Sequence, residues 1–114
     1  DEACVQFAKT FPKIIREIRA VNPTVKIYAD NIYNPAKGID AFSQVYSVAD
    51  DYINRMNRGF YPSDEYVLVD IKKCFDGEKE SMVNLSFKGR EIDPHPSEKG
   101  HKKIAQMVIK AMER

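Results

Sequence analysis

"YVLVDI", residues 66–71, is a nearly continuous apolar run rich in β-branched residues. A strand with one solvated face alternates apolar and polar residues; a run without alternation predicts a strand covered on both faces. Such strands belong to parallel sheets flanked by helices. Upstream, "TVKIYAD", 24–30, is short, β-branched and aromatic, and predicts a second strand. Between the two, "NIYNPAKG", 31–38, has turn and loop chemistry. After it Val45, Val48, Ala49, Tyr52, Ile53 and Met56 recur at helical spacing, in a helix that closes near Gly59.

The flanks complete the pattern. Cys4, Phe7, Ala8, Phe11, Ile14, Ile15 and Ile18 mark a first amphipathic helix, which "VNP" at 21–23 ends. Pro12 either kinks it or opens a new helix capped by Thr10. Residues 73–92 predict a long polar loop holding one short helix around "KESMVNLS", 79–86. Ile104, Met107, Val108 and Ala111 predict a terminal helix with Ser97 as its N-cap. Helix, strand, helix, strand, loop, helix is the order of an α/β domain with a parallel sheet, here one domain over 1–114. Two strands that both look buried need neighbours, so the chain is expected to be the second half of a larger α/β domain. It opens directly in amphipathic helix without an initiator Met, and an upstream segment is expected.

The chain has 114 residues, 43% hydrophobic and 31% charged, with 18 basic and 17 acidic side chains. Such a balance offers no electrostatic case for nucleic acid or an anionic membrane surface. No apolar run approaches the roughly 20 residues needed to span a bilayer. Cys4 and Cys74 are expected to be buried free thiols, and two cysteines do not define a compartment.

The chemistry concentrates in "EIDPHPSEKGHKK", 91–103. Asp93 stands two residues before His95, and Pro94 and Pro96 restrict Asp93 and His95 to extended backbone. A serine hydrolase needs a base to take the nucleophile's proton and an acid to hold that base in the right tautomer. In an open α/β sheet, loops at the carboxyl ends of the strands form the site, and 93–96 follows such a strand. Two other readings stand beside this one. The segment is also compatible with a proline-stiffened helix entry carrying a surface histidine. Asp93, His95 and His101 could also ligate zinc or manganese.

"DPHPSEKGHKKIAQMV", 93–108, resembles the last block of the SGNH, or GDSL, hydrolases, in which an Asp and a His-Pro open the terminal helix. "FPKIIREIRAVNPTVKIYADNIYNP", 11–35, "INRMN", 53–57, and "YVLVDIKKCF", 66–75, are similar in character to that family's preceding helices and strands. The resemblance implies a three-layer, parallel-sheet architecture of flavodoxin-like type, of which the chain would be the incomplete C-terminal half. It implies His95 as general base and Asp93 as its orienting acid. The family's usual acid stands three residues before the histidine, where this chain has Ile92. Asp70 and Glu91 are therefore alternative acids.

The implied activity is hydrolysis of a small ester by a serine esterase or lipase-like acylhydrolase, without metal or organic cofactor. Asn31, Tyr33 and Asn34 would help shape the pocket, bordered by loops 31–44 and 73–92. The family's Gly-Asp-Ser nucleophile block and Gly-x-Asn-Asp oxyanion block do not occur here. The chain alone is expected to be inactive, and its partner would be an N-terminal half or a second copy. Many enzymes of the family are exported from bacteria, so the resemblance implies a secreted or cell-surface protein. A non-catalytic α/β binding or interaction module is the alternative.

Overall fold

The computed structural model describes residues 2–38, 43–84 and 93–114. Helix α1 (Glu2–Val21) leads to strand β1 (Tyr28–Asp30), helix α2 (Ser43–Asn57) and strand β2 (Val67–Val69). Two further helices follow, α3 (Ile71–Asp76) and α4 (Glu98–Met112). The fold is mixed helix and strand. β1 and β2 pair in parallel with Tyr28 opposite Val67, Ala29 opposite Leu68 and Asp30 opposite Val69. Val67 N–H to the Ile27 carbonyl, 2.8 Å, and Asn31 N–H to the Val69 carbonyl, 3.2 Å, extend the ladder at both ends.

β2 departs from the expectation of a strand buried on both faces. Tyr66, Val69 and Ile71 are buried, but Val67 and Leu68 are each 41% exposed. Only β1 lies beside β2 among the described residues, so nothing continues the sheet over these side chains.

Two apolar groups hold the elements together. Val69, Ile71, Phe75 and Met82 form one, against which Ile104, Met107, Val108 and Ala111 of α4 pack. These are the four residues whose spacing predicts the terminal helix. The other is aromatic: Phe7 and Phe11 of α1 meet Phe60 edge-on at 5.1 and 5.0 Å, and Phe11 also meets Tyr66. This packing explains why α1 runs unbroken through Pro12 and no new helix starts at Thr10. Proline removes one backbone bond, but Phe7, Phe11 and the fully buried Ile15 need one continuous face. The guanidinium of Arg19 bonds the carbonyls of Pro23, Val25 and Glu65, which ties the end of α1 to the approaches to both strands.

The segment after β2 also differs from the long loop expected from residue 73. Asp70 caps a helix at once, its carboxylate accepting Lys73 N–H at 3.1 Å, and α3 buries Ile71 and Phe75. Residues 79–84 are not helical; the rest of the short helix expected over 79–86 falls outside the described residues. Cys4 and Cys74 are free thiols, both partly buried. Burial pushes the Cys74 thiol up, which favours its protonated form.

Candidate active site

The residues leading into α4 are held by a short antiparallel pairing. Val83 bridges Pro96; Asn84 N–H donates to the His95 carbonyl at 2.9 Å and Ser97 N–H to the Met82 carbonyl at 2.8 Å. Ser97 then caps α4, its hydroxyl accepting Gly100 N–H at 3.1 Å. Residues 94–97 are thus fixed on one side by residues 82–84 and on the other by the helix.

Within this frame Asp93 and His95 meet. One oxygen, Asp93 Oδ1, lies 2.6 Å from His95 Nδ1 and accepts the His95 backbone N–H at 3.0 Å. The backbone bends at His95, and this side-chain-to-backbone bond closes the pair across a separation of two residues. The backbone N–H and then the ring of His95 hold the Asp93 carboxyl below its usual range, with help from the Asn84 side chain. Asp93 is therefore ionised at neutral pH and can only accept. His95 Nδ1 thus carries the shared proton, and in the neutral ring Nε2 keeps its lone pair. That is the tautomer a general base requires. The imidazole is 82% exposed, so Nε2 is open to solvent.

The dyad lies on the carboxyl side of the sheet. Tyr33, three residues past the end of β1, donates its hydroxyl to the Pro94 carbonyl at 2.7 Å and packs its ring at a tilt against Phe75, 5.0 Å between centroids. Burial and then the negative Asp93 push the Tyr33 hydroxyl up, which keeps it a donor.

Asn31 and Asn34 serve different partners. Asn31 donates to Asp70 at 2.7 Å and accepts the Lys72 N–H at 3.0 Å, joining the ends of the two strands. Asn34, only 2% exposed, donates to the Tyr46 carbonyl and to Asp50, and accepts the Ala36 N–H. Asp50 belongs to a second polar group, in which Lys72 Nζ reaches Asp50 at 2.9 Å and Asp76 at 2.6 Å. Of the three pocket candidates only Tyr33 touches the histidine loop.

Among the alternative acids, Asp70 is committed to Asn31 and the α3 cap, and Glu91 falls outside the described residues. Among the described residues no three His, Cys, Asp or Glu side chains converge to hold a metal ion. The hydroxyls of Ser63, Ser81 and Ser97 accept backbone N–H groups within their own turns. No described hydroxyl donates to His95. Asn84 has no sequence signal beyond following the buried pair Met82 and Val83. Among the described residues no helix is long and apolar enough to cross a membrane. No family model, curated protein or solved structure matches the chain.

Proposed function

We propose that this chain supplies the general base and orienting acid of a serine-type ester hydrolase, within a three-layer α/β fold of SGNH type. The observation that carries the proposal is the Asp93–His95 pair: 2.6 Å between Oδ1 and Nδ1, with Nε2 open to solvent. In the reaction, a serine attacks the ester carbonyl while His95 Nε2 takes its proton. The ester C–O bond then breaks and His95 returns the proton to the leaving alcohol. Water, deprotonated by the same nitrogen, attacks the acyl-serine; the acyl–oxygen bond to serine breaks, the acid leaves and His95 returns the proton to the serine oxygen. Asp93 stays ionised throughout and stabilises the imidazolium that forms twice.

The serine and oxyanion donors would come from a segment that extends the sheet. Two points support this. The sheet has two strands among the described residues, and Val67 and Leu68 remain exposed on it. The radius of gyration, 15.7 Å, also exceeds the roughly 13 Å of a compact domain of this length. The same exposed strand favours the alternative, a module whose sheet is covered by a partner.

The test is hydrolysis of a short-chain nitrophenyl ester. The 114-residue chain alone should show no turnover. The chain extended by its native upstream sequence should be active, and His95→Ala should cost that activity about a thousandfold or more. Undiminished turnover in the extended His95→Ala variant would reject the proposal.

A further inference from the structure

Asn84 grips two consecutive carbonyls of the histidine loop. Its backbone N–H holds the carbonyl of His95 at 2.9 Å, and its side-chain Nδ2 holds that of Pro96 at 3.1 Å. The first bond is available to any residue except proline; the second requires a short side-chain donor. Pro94 and Pro96 already fix their own φ angles, so holding these carbonyls removes the remaining freedom around His95. One residue thus fixes the backbone at His95 without occupying Nε2.

We propose that the Asn84 side chain is the positioning residue of the dyad, fixing the backbone that carries His95 so that Nδ1 stays against the Asp93 carboxylate, and so setting the imidazole tautomer. The inference rests on the reading of His95 as a base, but its test does not require turnover. The same atoms argue against a purely architectural role. Asn84 is exposed, and the pairing of 82–84 with 95–97 runs through backbone atoms that substitution leaves in place.

The experiment is nitrogen-15 NMR of the histidine side chains at a pH where imidazole is neutral, on the 114-residue chain and its Asn84→Ala and Asn84→Asp variants. Asn84→Asp keeps the shape but replaces the donor by an acceptor facing the Pro96 carbonyl. His101, exposed on α4, is the internal reference. The unsubstituted chain should hold His95 mainly as the Nδ1–H form. Both variants should lower the Nδ1–H to Nε2–H ratio about fivefold, the weight of one net hydrogen bond. The His101 ratio and the protection of the Asn84 backbone amide should not change. A ratio that stays within twofold in both variants overturns the proposal while leaving the dyad intact. Loss of the folded spectrum in both also overturns it, since Asn84 would then be architectural. A predominantly Nε2–H His95 in the unsubstituted chain rejects the base reading itself.

Discussion

Gly100 lies directly against the carbonyl of Met82: a β-carbon on Gly100 would overlap that oxygen and stand 3.1 Å from Pro96 Cβ. The close approach lets the first turn of α4 dock on the segment that holds His95. In an open helix Gly→Ala gains roughly 1 kcal/mol. Here the opposing atom is backbone and cannot swing away. Gly100→Ala should therefore destabilise by about 2 kcal/mol, the usual effect of overpacking. The check is the urea midpoint at constant slope, and a stabilised variant would contradict the packing argument.

The depressed titration of Asp93 makes a signed prediction. A carboxyl held below its usual 3.8 contributes stability that is present above that pH and is lost as pH falls through its own lower midpoint. Carbon-13 titration should place the Asp93 midpoint below 3.8. His95→Ala should raise it only part of the way, because the first cause is the backbone N–H of residue 95, which alanine keeps. A midpoint at or above the ordinary value in the unsubstituted chain would mean that the pair is not formed in solution.

Lys72 bridges Asp50 and Asp76 with its side chain only 12% exposed, and Asp76 Oδ1 is buried without another partner. Burial works against both charges. Lys72, Asn34 and Asn54 nevertheless hold Asp50 below the usual range, and the two carboxylates hold Lys72 above its own. The Asp50 contribution is thus present above pH 3.8 and lost as pH falls through its lowered pKa. The Lys72 contribution is complete below pH 10.5 and lost as pH rises through its raised pKa. Lys72→Met should cost about 2–3 kcal/mol at pH 7 by stranding two carboxylates. The deficit should shrink at pH 4, where the Asp50 carboxylate, no longer held down by the lysine, begins to neutralise in the variant. Urea melts at the two pH values test this, and an equal deficit at both would remove the electrostatic explanation.

The helices α1, α2 and α4 are legible in the sequence through their apolar spacing; α1 packs Phe7, Phe11 and Ile15 and α4 packs Ile104 and Met107, whereas of the residues that mark α2 Ile53 is buried and Val45, Val48 and Tyr52 are exposed. Local chemistry also identifies the Ser97 cap. Helix α3 is not legible. "IKKCFD" is short, and its start depends on Asp70, whose capping is visible only once the strand before it is known to end at Val69. The burial expected of Val67 and Leu68 fails for a different reason. An apolar run records what a strand is suited to pack against, not what lies beside it. At the site, Asp93 and His95 are legible as neighbours in sequence. Tyr33 and Asn84 reach the same loop across 61 and 11–12 positions, through bonds to backbone carbonyls that carry no side-chain signature.

Tyr33 combines two functions that substitution can separate. Its ring packs on Phe75, which is buried in the core, and its hydroxyl tethers the Pro94 carbonyl between the two members of the dyad. Tyr33→Phe keeps the ring and removes the tether. Pro94 is exposed, so water can take over its carbonyl, and the global cost should stay at or below about 1 kcal/mol. Phe75→Ala empties the core and should cost about 3–5 kcal/mol. The local effect should run the other way. In Tyr33→Phe the His95 backbone N–H, which donates to Asp93, should exchange with solvent several-fold faster while core amides keep their protection. The same loosening should occur in the unsubstituted chain at high pH, once the hydroxyl ionises above its ordinary 10.0 and can no longer donate. Hydrogen exchange read residue by residue measures both effects. If Tyr33→Phe destabilised as much as Phe75→Ala, the hydroxyl would be part of the core and not a tether on the histidine loop.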